Sequence, residues 1–206
     1  MIIAKKIKLC GFTKADSLSY AIDCGVDFVG FVFVANSPRQ INIATAQQLA
    51  KVVGNKASKV AVVNDLRQLN FICEAIQPDY WQLHGDISVN QLLAIKQQFP
   101  AIGIIKAFNI SNVNDLACIN DYALYSDYFL LDAKISGEGR AFSWQMLQNF
   151  HSSKPIILAG GINQNNILQA FNYANIVDIS SGIEKIRGEK SIDLIKNCIN
   201  LCRNQH

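Results

Sequence analysis

Eight short apolar runs alternate along this chain with segments of helical spacing, and no other feature limits its fold as strongly. Parallel strands covered on both faces read as continuous apolar runs rather than alternating ones. Such runs occupy residues 7–10, 28–33, 59–63, 80–84, 102–107, 128–132, 155–159 and 176–180. Between them apolar residues recur at helical spacing, as in Ala46, Leu49, Ala50 and Val53, in Ile167, Ala170, Phe171 and Ala174, and in Ile192, Ile195, Ile199 and Cys202. Thr45, Ser88 and Ser143 are the expected helix caps, and a fifth helix is expected around residues 112–122. Strict alternation with no linker predicts an α/β fold, one (β/α)8 TIM barrel over residues 1–206. An open doubly wound sheet is the rival topology, because crossovers of roughly 20–30 residues suit both.

Composition narrows the function classes. With 50% hydrophobic and 17% charged residues, the chain is too apolar for disorder. A net charge of +3, without a Lys/Arg block, gives no basic face for nucleic acid. Lys5, Lys6 and Lys8 break the first apolar run, so no signal peptide is expected there, and no uncharged apolar stretch is long enough to span a membrane. The six cysteines match no zinc or redox spacing, which points to a cytoplasmic chain with reduced thiols. Cys24, Cys73, Cys118, Cys198 and Cys202 fall on helical patterns and are expected to be packed and inert.

Barrels of this kind carry their chemistry in the loops after the strands. Two such loops are long, 34–43 and 133–142. Gly160 and Gly161 follow the seventh run directly before an expected helix, and Ser181 and Gly182 hold the matching place after the eighth. Glycines let main-chain N–H groups approach an anion, so consecutive loops of this type predict a phosphate site. Either pair alone reads equally well as a plain turn.

At the other side of the expected mouth, Cys10 ends the first run with Lys8 two residues before it, on the same face. A neighbouring ammonium favours the thiolate and is expected to lower the thiol's pKa. Asp132 ends the run YFLLD, where partial desolvation would raise its pKa and suit it to donate a proton. Arg39, in the long loop after the second run, can fork two donors onto a carboxylate. Asp178 shares a face with Ser180 and is expected to look into the pocket, while Gln82 and His84 share a face on the fourth run.

Taken in order, KLCGFT (8–13), FVGFVFVANSPR (28–39), QLHG (82–85), LLDA (130–133), LAGGIN (158–163) and VDISSGIE (177–184) resemble phosphoribosylanthranilate isomerases. The resemblance implies an aldose–ketose isomerase of tryptophan biosynthesis that performs an Amadori rearrangement on N-(5-phosphoribosyl)anthranilate. It implies Asp132 as general acid and Cys10 as general base. It further implies Arg39 on the anthranilate carboxylate, Asp178 near the amine or the sugar hydroxyls, and Gly160, Gly161, Ser181 and Gly182 on the phosphate. Neither metal nor organic cofactor is implied, since both steps are proton transfers. The partner is then a small molecule, with no nucleic acid or membrane, and the chain a monomer or weak homodimer. The loop SGEGRAFSW departs from the family's pattern through Glu138, Arg140 and Ser143, so no substrate contact is assigned there. Two alternatives remain. One is an indole-glycerol-phosphate synthase-like barrel, for which Lys106 is the candidate acid, and the other is a non-catalytic phosphosugar-binding protein.

Overall fold

Eight parallel strands close on themselves in chain order: β1 (Lys6–Cys10), β2 (Phe28–Val32), β3 (Ser58–Val63), β4 (Tyr80–Leu83), β5 (Gly103–Ile110), β6 (Tyr128–Ala133), β7 (Ile156–Ala159) and β8 (Ile176–Ile179). The computed structural model describes residues 4–133 and 144–204. β8 pairs with β1 from Lys6↔Ile176 to Leu9↔Ile179, so the sheet is closed and the open topology is excluded.

The crossovers are α1 (Ala15–Asp23), α2 (Ile43–Val53), α3 (Leu69–Ile76), α4 (Val89–Gln98), α5 (Ile167–Ala170) and α6 (Ile192–Arg203). Ser88 caps α4 in a capping box with Gln91, as expected. Thr45 does not cap α2. Asn42 does, accepting from the Thr45 N–H, because a cap reaches the amide three residues on. Ser143, Glu138 and Arg140 lie outside the described residues.

The fifth helix is also corrected. Residues 112–122 fall in two 3-10 stretches, Val113–Leu116 and Ile119–Tyr125. Asp115 accepts from the Ser111 and Asn112 N–H groups and Asn112 from Asn114, so side chains take amide partners locally. α5 is a single turn, although Phe171 and Ala174 beyond it are still buried. No helix among the described residues is long and apolar enough to cross a membrane.

Side chains alternate between lumen and helical layer along each strand. The lumen holds Phe28, Val60, Ile105, Ala107, Leu130, Ile157, Ala159 and Ile176, packed as their own cluster. At the N-terminal end Phe28, Tyr80 and Tyr128 meet edge to face, with centroids 5.6–6.0 Å apart. These rings fill the lumen at the N-terminal end of the barrel.

The bottom is knitted by a repeated device. Asp27, Asp79 and Asp127 each precede an even-numbered strand, and each accepts a backbone N–H from the odd strand before it. The donors are Ile7 (2.8 Å), Lys59 (2.7 Å) and Ile104 (2.7 Å). The Ile104 residue is fully buried, so losing its acceptor strands an amide away from water. Asp127→Ala is expected to cost about 1–3 kcal/mol of stability and to leave turnover per folded molecule unchanged. Denaturant melts and steady-state rates on the same preparation check this. A variant as stable as the parent would remove the clamp from the account.

Candidate active site

Towards the C-terminal ends of the strands the lumen changes from apolar to polar. Inward positions become Lys8, Gln82 and Asp178, and then Cys10, His84, Asp132 and Ser180 at the rim. This order follows from strand alternation and from the ladder partners Lys8↔Asp178, Cys10↔Gly30 and Asp132↔Ala159.

Lys8 is fully buried, and its ammonium binds Asp178 Oδ2 at 2.9 Å. The other carboxylate oxygen, Oδ1, is buried without a partner among the described residues. The β1–β8 ladder directs Asp178 into the lumen beside Lys8.

Cys10 sits above this pair, 6% exposed, in an apolar patch with Val32 and Val62. Gly30 makes room for it, since a Cβ there would stand 2.5 Å from Cys10 Sγ. The expected fall in its pKa is overturned. Burial pushes the Cys10 thiol up and outweighs Lys8 and Lys190, which pull it down, while Asp178 adds to the rise. Lys8 was legible in the sequence, but the depth of the thiol was not.

Asp132 occupies the inward rim position of β6, paired in the ladder with Asn109 of β5 and Ala159 of β7. At the end of β4 the Gln82 and His84 side chains are joined at 2.6 Å. Burial, reinforced by Lys8 and Lys106, lowers the His84 pKa to about 4, so this imidazole is neutral at pH 7.

The paired glycine loops meet at the same rim. Gly160 and Gly161 adopt φ 91° and 66°, a left-handed pair that favours glycine. The Gly161 carbonyl is held by the side-chain amides of Asn163 and Asn166, both at 3.1 Å. A Cβ at Gly182 would run into the Ile162 carbonyl and Asn163, so the loops after β7 and β8 touch. Gly161 and Ser181 are exposed. One expectation is corrected here. α5 begins only at Ile167, and a hairpin, β9 (Glu184–Ile186) with β10 (Glu189–Lys190), follows β8 instead of a helix. The backbone N–H groups at this rim therefore belong to loops rather than to a helix N-terminus.

Arg39 does fork onto a carboxylate, but the carboxylate belongs to the chain. Its Nε and Nη2 donate to Glu184 Oε1 and Oε2 at 2.6 and 2.8 Å. Lys190 donates to the same Glu184 Oε1 at 2.9 Å and to the Ser180 carbonyl at 3.0 Å. Burial opposes ionisation of Glu184, yet Arg39 and Lys190 prevail and hold its pKa at about 2. Neither Glu184 nor Lys190 was singled out from sequence. Glu184 closes the quoted VDISSGIE motif, whereas Lys190 lies in a polar stretch that reads as surface.

The remaining candidates separate cleanly. Lys106 alternates with Ile105 of the lumen and instead meets Phe108 and Tyr122 of the outer layer, with Phe108 at 4.7 Å. Its ammonium donates to the Gly85 and Ala107 carbonyls at 3.0 and 2.9 Å. Burial raises Cys198 and Cys202 to about 11, consistent with packed thiols. Cys118 is exposed, against expectation, between the two 3-10 stretches. A cleft of about 440 Å³ at the opposite end is lined by the clamp residues Asp27 and Asp79, whose side chains already serve backbone.

Known proteins share this fold and much of this sequence. Residues 7–201 match the family model described as N-(5'phosphoribosyl)anthranilate (PRA) isomerase. The chain is 36% identical to N-(5'-phosphoribosyl)anthranilate isomerase of Rhodopseudomonas palustris (strain BisB5), over 96% of this chain and 95% of that one. It superposes on phosphoribosyl anthranilate isomerase from Thermotoga maritima with a TM-score of 0.85 and 28% identity, covering 97% and 98% of the two chains. A crystal structure of such an isomerase in complex with reduced 1-(o-carboxyphenylamino)-1-deoxyribulose 5-phosphate matches with a TM-score of 0.82 and 26% identity, covering 97% of this chain and 98% of that one.

Proposed function

Because this chain belongs to the N-(5'-phosphoribosyl)anthranilate isomerase family, we propose that it converts N-(5-phosphoribosyl)anthranilate to 1-(2-carboxyphenylamino)-1-deoxyribulose 5-phosphate, with Asp132 as acid and Cys10 as base. The observation that carries this reading is the inward placement of both side chains at one rim, with the buried Lys8–Asp178 pair beneath Cys10. A binding protein needs neither the thiol nor the rim carboxyl.

The substrate enters with its phosphate at the loop backbone of Gly160, Gly161, Ser181 and Gly182. Asp132 gives its proton to the ring oxygen as the amine lone pair forms a C1′=N bond and the C1′–O bond breaks. The cationic Schiff base acidifies the C2′ hydrogen. Cys10, as thiolate, removes that proton, and its electrons form the C1′=C2′ bond of a neutral enolamine. Loss of the C2′ hydroxyl proton and gain of one at C1′ then yield the ketone. The open Oδ1 of Asp178 accepts from the substrate amine or a sugar hydroxyl. No step requires a metal ion or an organic cofactor.

The direct test is loss of phosphoribosylanthranilate fluorescence on addition of the purified protein. An unchanged signal at high enzyme concentration would sink the assignment. Arg39→Ala separates binding from chemistry, because the anthranilate carboxylate takes no part in the proton transfers. Removing a charge-assisted contact of roughly 1.5–3 kcal/mol should weaken substrate binding about 10- to 150-fold, with kcat largely retained. A collapse of kcat at unchanged affinity would contradict the role.

A further inference from the structure

Arg39 is fixed from two sides before any ligand arrives. Its stem lies against the turn at Gly11, where φ is +83° and a Cβ would stand 2.5 Å from Arg39 Cδ. Its guanidinium spends the Nε–Nη2 edge on Glu184, whose side chain is only 4% exposed, while Arg39 itself is 21% exposed. The remaining Nη1 side has no partner among the described residues.

Charge then decides what that free side can hold. Arg39 and Glu184 alone would form a neutral pair, and a ligand carboxylate beside them would face a buried acidic group. Lys190, with a side chain 1% exposed, donates to the same Glu184 oxygen. The trio therefore carries one net positive charge in a site from which water is largely excluded, where such a charge acts strongly.

We propose that Glu184 and Lys190 are positioning residues that set specificity for a substrate whose aryl group carries a carboxylate. Glu184 turns the free edge of Arg39 to the mouth, and Lys190 cancels the charge that would otherwise repel the ligand. This rests on the proposed contact between Arg39 and the substrate carboxylate, and the test separates the two ideas.

Two unreactive ligands serve as probes: 1-(2-carboxyphenylamino)-1-deoxyribitol 5-phosphate and the same molecule without its carboxyl group. Both are titrated calorimetrically into the parent, Glu184→Gln, Arg39→Ala and the double variant. Glu184→Gln keeps the side chain's size but loses one of the two acceptor oxygens that lock the fork, a loss of position that outweighs the repulsive charge removed with it. It should weaken the carboxylate ligand about tenfold and change the other ligand by less than about twofold. In the Arg39→Ala background the same substitution should add nothing, since partners acting through one group are coupled. Equal weakening of both ligands by Glu184→Gln would make Glu184 a merely structural pillar and overturn the proposal. If Arg39→Ala fails to distinguish the ligands, the Arg39 contact itself is wrong. Should Glu184→Gln not fold, because Lys190 is left buried without its partner, Glu184→Gln/Lys190→Met removes both charges. That variant should show the same selective loss, and an unchanged preference would overturn the proposal.

Discussion

Cys10→Ser is expected to lower turnover by about 10²–10⁴-fold, with inorganic phosphate bound as tightly as by the parent. A serine hydroxyl fills nearly the same volume beside Gly30 but stays protonated at neutral pH, so no base remains for the C2′ hydrogen. The parent enzyme should carry a signature of the same residue. Burial holds the Cys10 thiol above its ordinary value despite Lys8 and Lys190. A raised pKa delays the appearance of the base form, so the kcat/KM profile should carry a limb on the alkaline side that Cys10 sets together with Asp132. In Cys10→Ser that limb should vanish. Turnover near the parent value, or a limb that survives, would remove Cys10 from the mechanism.

What could be read from sequence and what could not have distinct physical causes. The strands were legible because a parallel barrel buries both faces, and the lumen and outer-layer clusters are both apolar. The fifth crossover was misread because Asn112 and Asp115 satisfy neighbouring amides locally, which competes with an α-helix. The inward positions of Cys10, Asp132 and Asp178 were legible because strand alternation fixes which way a side chain points. The Arg39–Glu184 fork was not, because the residues stand 145 apart in the chain and meet only when the barrel closes. Lys190 was hidden for a related reason. It lies on a two-residue strand whose flanks are exposed or half-buried, and only the hairpin turns its ammonium inward. The thiol's raised pKa depends on depth, and strand periodicity reports direction alone.

Asp132→Asn should abolish ring opening, again with a loss on the order of 10²–10⁴-fold or more in turnover. The amide keeps the shape of the side chain at the rim of β6, between Asn109 and Ala159 in the ladder, so fold and phosphate affinity should survive. What it lacks is a proton acidic enough to move to the ring oxygen. Because only the form with a protonated Asp132 and an ionised Cys10 reacts, the pH limbs of the parent belong to the coupled pair rather than to either group. The two residues serve successive steps of one reaction, and blocking either leaves only the background supplied by binding. Cys10→Ser/Asp132→Asn should therefore fall to about the floor of the slower single variant rather than to the product of both losses. Steady-state turnover of the two single variants and the double, with phosphate affinity measured in parallel, decides the matter. An Asp132→Asn enzyme that turns over near the parent rate would assign the ring-opening proton to another group. A double variant showing the full product of losses would mean that the two residues act independently, which a shared reaction sequence does not permit.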